Sequence, residues 1–156
     1  MRVRVIAVGT RMSAWVDAAC EDYRRRLRGA DAVELLEVPP ARRATGAGPG
    51  QAARLEATRI LALLGPREYA VALDERGRSF STLELSRWLA GRRTQGEALT
   101  FIVGGPDGLA PEVHARAQLS WSLSALTFPH ALVRVLLLEQ LYRASTVLAG
   151  HPYHRP

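Results

Sequence analysis

Short apolar runs alternate along this chain with longer stretches whose apolar residues recur at helical spacing. Arg2 to Val8 has the β-branched content of a strand and ends in a Gly-Thr turn. Ser13 is placed to cap a helix running to about Arg28, with Trp15, Ala18, Ala19 and Tyr23 spaced for one buried face. Ala32 to Val38 is a second strand, stopped by Pro39-Pro40, and the Gly, Pro and Ala of Ala41 to Gly50 make a low-complexity loop. A helix over Gln51 to Leu64 ends at Gly65-Pro66, and Tyr69 to Asp74 is a buried-type strand followed by a turn, Glu75 to Arg78. Ser81 to Arg93 forms a helix that opens with the capping box Ser81-x-x-Glu84. Leu99 to Val103 is the most apolar strand and runs into Gly104-Gly-Pro-Asp-Gly108. A short helix from Pro111, a short strand over Leu119 to Leu123, the loop Leu123 to Phe128 and a long helix from Pro129 to Gly150 complete the pattern.

Strands and helices that alternate in this way predict βαβ units: an α/β fold with a largely parallel sheet and helices on both faces. With 156 residues, no internal repeat and no linker, the chain reads as one domain over 1–156. Ligands of such sheets bind at the carboxyl ends of the strands. Three loops are then expected to converge: those after Tyr69–Asp74 and Leu99–Val103, and Leu123–Phe128. On the long helix, at about 100° per residue, His130, Arg134, Leu137, Leu141 and Leu148 share one side. Glu139 and Arg143 lie nearly opposite, with Val135, Leu136, Tyr142 and Val147 between. A helix apolar nearly all round needs more than one cover, and a second copy of the chain, a homodimer, is the expected other one.

Composition narrows this picture. Hydrophobic content of 47% and charged content of 23% are globular values. The net charge is +6, and all 21 basic residues are arginine, whose planar fork suits phosphate and stacked bases. An anionic partner is favoured, with nucleic acid first. Arg2, Arg4, Arg24, Arg25, Arg26, Arg28, Arg42 and Arg43 crowd the first third and are candidates for a phosphate-facing surface. The lone cysteine, Cys20, has no partner within the chain and reads as a buried helix residue. No signal peptide and no charge-free stretch of about 20 apolar residues is visible, which points to a cytoplasmic protein with no membrane association.

The candidate chemistry is concentrated late in the chain. The glycines of Gly104–Gly108 allow a backbone to approach a ring or ribose closely, yet the segment lacks a P-loop lysine and serves equally as a plain turn. Leu123–Phe128 offers main-chain groups and the hydroxyls of Ser124 and Thr127 to a neutral heteroaromatic ligand. Glu139 and Arg143 stand at i, i+4 in the favoured order for an ion pair; Arg143 is also suited to an anion. His130 satisfies the first turn of its helix. In the tail, His151, Tyr153 and His154 combine groups that titrate near neutrality or stack on bases. As a metal site the tail is poor, and no metal is expected.

These motifs, Arg4-Val-Ile-Ala-Val-Gly9, Ala72-Leu-Asp-x-x-Gly77, Gly104-Gly-x-x-Gly-Leu109, Leu126-Thr-Phe-Pro-His130, Arg134-x4-Glu139-Gln-x-Tyr-Arg-Ala144 and Tyr153-His154, run the length of the chain. Together they closely resemble the RlmH family of SPOUT-class methyltransferases, which act on N3 of a pseudouridine in 23S ribosomal RNA. The resemblance implies a SPOUT fold with a C-terminal trefoil knot, a homodimer, S-adenosylmethionine as methyl donor and 23S rRNA within the ribosome as partner. By position, the family's donor-binding residues fall on Leu73, Gly104, Leu123, Ser124, Ala125, Leu126, Thr127 and Phe128. Ala125 departs from members that carry proline there.

A mechanism follows as an expectation. The N3 proton must leave, and a base with a pKa near the working pH serves best; His154 is the first choice and Glu139 the second. Arg143 would stabilise charge on the carbonyl oxygens, Tyr153 would orient the base, and the carboxyl-terminal residues would roof the donor pocket. In a dimer, the tail of one subunit would complete the pocket of the other. Three other readings stay open: a SPOUT-type enzyme acting on tRNA or a ribose 2′-hydroxyl, a non-catalytic ribosome-associated factor, and a generic nucleotide-binding module, which would leave the matched tail unexplained.

Overall fold

A computed structural model describes residues 1–42, 48 and 50–155. Arg43, Pro156 and most of the Ala41–Gly50 loop lie outside the described residues. The strands are β1 (Val3–Val8), β2 (Val33–Val38), β3 (Tyr69–Ser79), β4 (Leu99–Val103) and β5 (Leu119–Ser122), and the helices are α1 (Ala14–Arg26), α2 (Gln51–Leu63), α3 (Thr82–Gln95), α4 (Pro111–Arg116) and α5 (His130–Ala149). The strands form one five-stranded sheet in the order β2-β1-β4-β3-β5. Every neighbouring pair is parallel, as the alternation predicts.

Each strand splits its side chains between two cores by the pleat. Val3, Val5 and Ala7 of β1 and Leu99, Phe101 and Val103 of β4 face α1, α3 and α5. Ile6, Val8 and Ile102 face the opposite way, against Ala53, Ala57 and Ile60 of α2 and Val113 of α4. Both faces of the central strands are therefore dry, which is why β1 and β4 read as unbroken apolar runs.

Several local expectations change in the folded chain. The face that α1 buries is centred on Val16 and Cys20 and continued by Leu27; of the expected face, Ala19 and Tyr23 pack half-buried against the same core, while Trp15 is 59% exposed and Ala18 is also exposed. Val16, Cys20 and Leu27 make an alternative helical stripe one residue round, and docking on the sheet selects it. Ser13 precedes α1 without a side-chain capping bond, and the helix ends at Arg26. The capping box of α3 forms as predicted, with Ser81 Oγ accepting from the Glu84 N–H and Glu84 accepting from the Ser81 N–H. Pro129 is the residue before α5, not its first.

The largest departure is at Glu75–Arg78. In place of a turn, β3 continues to Ser79, leaves β4 after Ala72 and runs beside β5, with a register shift between Leu73 and Arg78. Gly77 permits this, because a Cβ there would lie 2.6 Å from the Ser120 carbonyl carbon and 2.7 Å from the Trp121 nitrogen. Glycine inside a strand marks such a backbone approach.

Charge is also buried where a basic surface is expected. Arg4 is 7% exposed, and its guanidinium donates to both Glu68 carboxylate oxygens (2.7 and 2.6 Å) and to the Leu63 carbonyl. It is thus a core ion pair and no part of an RNA-facing surface; Arg2 pairs with the same carboxylate from outside. The long helix α5 finds its flanking covers inside its own chain, lying against both α1 and α3. Leu132, Leu136 and Val147 stay half-buried on its remaining side.

Candidate functional site

The carboxyl ends of β4, β3 and β5 open into one cleft of about 600 Å³. Its walls are Leu73–Arg76 from β3, Val103–Leu109 after β4, and Leu123, Ser124 and Leu126–Pro129 between β5 and α5. His114, Trp121, His130 and Val133 complete it. The three loops picked out from strand order do converge, and Leu73, Gly104, Leu123, Ser124, Leu126, Thr127 and Phe128 all line the space. Ala125 sits in the same loop but does not line the cleft.

The glycine segment proves to be both a turn and a wall. The Gly108 N–H donates to the Gly105 carbonyl at 3.0 Å, and Gly108 has φ +74°. At Gly104 a Cβ would meet the Gly108 carbonyl carbon at 2.9 Å and Leu109 at 3.1 Å. Only a side-chain-free position lets the loop fold back here and leave the cleft open.

The hydroxyls offered by Leu123–Phe128 serve the loop itself. Ser124 Oγ accepts from the Leu126 N–H at 3.0 Å, and Ser122 Oγ donates to the Ser124 carbonyl at 2.8 Å. Thr127 Oγ1 donates to Glu75 Oε2 at 2.6 Å, tying the loop to the continuation of β3. Main-chain groups and the apolar side chains, led by Leu126 at 70% exposure, are what the loop presents.

Residues beyond the predicted set also face the cleft: Asp74, Glu75, Arg76, Asp107, His114 and Trp121. Asp74 is legible as part of Ala72-Leu-Asp-x-x-Gly77; no local pattern points to His114, which arrives from α4. His130 lines the cleft at the start of α5, and its pKa is lowered by burial and then by the nearby Arg134 cation. Arg134 itself is 1% exposed. It pairs with Glu37 at 2.6 Å and donates to the Gly9 carbonyl at 3.1 Å, pinning the ends of β1 and β2 to α5.

The tail assembles a second cluster on the side of α5. Glu139 Oε1 accepts from Arg143 Nε at 2.9 Å and from the Tyr153 hydroxyl at 3.2 Å, and Gln140 donates to its other oxygen at 2.6 Å. Arg143 sits 5.0 Å from the centre of the Tyr153 ring, Tyr142 packs edge-on to that ring at 4.5 Å, and the Tyr23 hydroxyl is 3.2 Å from its oxygen. Burial first, then the Tyr23 hydrogen bond and the Glu139 charge push the Tyr153 phenol well above its ordinary range, so it stays protonated. His154 Nδ1 is buried with no hydrogen-bond partner.

Glu139, Arg143 and Tyr153 are thus brought together, with His154 next to Tyr153 in the chain, but none of the four lines the cleft of its own chain. Glu139 lies ~13 Å further along α5 than His130, at roughly 1.5 Å per residue. The expectation that the carboxyl-terminal residues roof the donor pocket therefore fails within one chain: the tail folds back along α5 onto Tyr142 and Tyr23. Among the described residues no cluster of His, Cys, Asp and Glu is suited to a metal ion, and no helix is long and apolar enough to cross a membrane.

The family model described as "Predicted SPOUT methyltransferase" matches residues 1–154. The chain is 52% identical to the "Ribosomal RNA large subunit methyltransferase H" of Alkalilimnicola ehrlichii over 155 residues, covering 99% of each chain. Its identity to the protein of the same name from Pseudomonas aeruginosa is 47%, covering 99% of this chain and 100% of that one. Two solved structures share its fold. A probable methyltransferase from Bordetella pertussis has a TM-score of 0.59 at 20% identity, over 92% of this chain and 95% of that one. A probable methylase family protein from Haemophilus influenzae has a TM-score of 0.59 at 14% identity, over 99% and 70%.

Proposed function

The chain belongs to the SPOUT methyltransferase family, and from that premise we propose that it uses S-adenosylmethionine to methylate N3 of a pseudouridine in 23S rRNA of the large ribosomal subunit. The whole chain, 1–156, acts as one domain in the cytoplasm, and the trefoil knot of the fold family goes with the same reading. The observation that carries the proposal is the convergence of three distant loops on one cleft with a glycine-lined wall. That cleft fits the donor: Gly104 leaves room for close backbone approach, and Leu123–Phe128 presents main-chain groups and leucine and phenylalanine faces to a heteroaromatic ring. Leu73, Gly104 and Leu123–Phe128 would hold it. When bound, it supplies an electrophilic methyl on a sulfonium, so no metal is required.

The chain's own residues then divide the remaining work. His154 takes the N3 proton as general base. Arg143, oriented by Glu139, stabilises negative charge on the carbonyl oxygens of the base. Tyr153, held protonated, orients the base and moves no proton. Glu139 is occupied by Arg143 and Tyr153, which leaves His154 the better base. Because the tail stands away from the cleft of its own chain, a second copy supplies it, and the protein works as a homodimer with the open strip of α5 available to the contact.

Three measurements test this reading. Calorimetry with S-adenosylmethionine should show binding; a non-catalytic factor need not bind it. Mass spectrometry of rRNA from a deletion strain should show a pseudouridine lacking its methyl, and a loss from tRNA or from a ribose would redirect the assignment. His154→Ala should lose turnover and keep donor affinity, whereas equal loss of both would make the tail structural.

A further inference from the structure

Of the motif Ala72-Leu-Asp-x-x-Gly77, Leu73 walls the cleft and Gly77 admits β5, but Asp74 has no packing role that accounts for it. Its side chain is 20% exposed and lines the cleft at the point where β3 parts from β4. Two neighbours hold the carboxylate. Oδ1 accepts from the Arg76 N–H at 3.0 Å, and Oδ2 faces His114 Nε2 at 3.5 Å. The other ring nitrogen of His114 is 3.4 Å from Ser120 Oγ, so β3, α4 and β5 together set the ring and the acid. The Arg76 guanidinium reaches only to 3.8 Å and is 88% exposed, where water screens it.

A carboxylate has about four lone-pair sites. One is taken by the Arg76 N–H and one looks toward His114, so acceptor capacity remains on both oxygens. Glu75, the neighbouring acid on the cleft wall, is already engaged by Thr127. Two adjacent oxygens on a fixed carboxylate match a vicinal diol, the group that an acidic residue at a strand end takes in other nucleotide-binding sheets.

We infer that Asp74 binds the ribose diol of the nucleoside ligand in this cleft, and that His114 is the residue that positions it. The inference rests on the reading that the cleft takes S-adenosylmethionine. Calorimetry with S-adenosylhomocysteine and with 5′-methylthioadenosine, which has the ribose but no amino-acid arm, tests it. Asp74→Asn should weaken both ligands by the same factor, about 10- to 100-fold for a lost charge-assisted hydrogen bond. His114→Leu, which has no donor, should weaken both less, and His114→Gln, whose amide N–H can still face Asp74, should restore them. Loss confined to S-adenosylhomocysteine would assign the carboxylate to the ammonium group and overturn the inference, as would no loss on either.

The wild-type protein provides a check that needs no variant. 2′,3′-Dideoxyadenosine should compete with S-adenosylhomocysteine about 10- to 100-fold less well than adenosine does, and equal competition would overturn the inference. A wild-type protein that binds neither S-adenosylmethionine nor its product would sink the cofactor reading instead, so the two failures are distinct.

Discussion

Gly77→Ala isolates the junction on which the cleft depends. The added Cβ would lie 2.6 Å from both the carbonyl carbon and the carbonyl oxygen of Ser120, and 2.7 Å from the Trp121 nitrogen. Ordinary carbon contacts are ~3.5–4.0 Å, so the strands must part by roughly 1 Å. All three neighbours are backbone in the β3–β5 ladder, and none can rotate away as a side-chain tip would. Overpacking of this kind costs ~1–3 kcal/mol, and one weakened ladder bond adds ~1 kcal/mol. For a chain of this length a loss of ~2–4 kcal/mol lowers Tm by about 5–15 °C. Gly91→Ala is the matched control, because that position in α3 has nothing within 4 Å and no positive φ. It should gain ~0.5–1 kcal/mol from helix propensity and a less free unfolded chain. The assay is thermal unfolding of both variants, followed by donor calorimetry below the transition. Gly77→Ala should also weaken donor binding, since Leu73–Arg76 and Leu123–Thr127 are tied across the displaced strands. A Gly77→Ala protein that melts with the wild type and binds the donor equally would refute the close-approach argument.

Two further outcomes are expected. Burial raises the Glu68 carboxyl, but hydrogen bonds from Arg4 and the Gly65 N–H, with the charges of Arg4 and Arg2, outweigh it and lower its pKa below the ordinary 4.5. A lowered carboxyl stabilises the fold above its unfolded value and loses that contribution as pH falls through the folded one, so unfolding scans should show an acid limb below about pH 4.5; Glu68→Gln should flatten this limb and cost ~3–5 kcal/mol at pH 7 by stranding Arg4. On α1, Arg24, Arg25 and Arg26 are partly neutralised by Glu21 and Asp22, yet Arg25 and Arg28 remain exposed; if they grip phosphate, reversing both to Glu should reduce the salt slope of rRNA binding by about 1.5, and an unchanged slope would move the RNA surface elsewhere.

Much of the site was legible because its loops follow from strand order. Once the chain alternates strand and helix, a parallel sheet places every βα loop at one edge, and Leu73, Gly104, Leu123, Ser124 and Leu126–Phe128 share a cleft as a consequence. Asp74 lay inside a recognised motif without an assigned role. His114 carried no signal, since a lone histidine on a short helix gains meaning only from the strand it faces. The tail's chemistry was readable as residue types; its distance from the cleft was not, because nothing local says where a chain goes after Gly150.

The amino-acid order by itself determined the element types, the parallel sheet, the α3 capping box and the burial of Cys20. The element types and the capping box rest on forces between near neighbours (backbone hydrogen bonding, side-chain periodicity and the conformational limits of glycine and proline), and the parallel sheet follows from the order in which those elements alternate. Tertiary structure alone decided which stripe of α1 is buried, that β3 runs on past Asp74, and that Arg4 and Arg134 are interior. Arg4 and Glu68 are 64 residues apart, and Arg134 and Glu37 are 97. A charge enters the core only where its partner is already in reach, and that depends on packing across the sheet, which no local window contains.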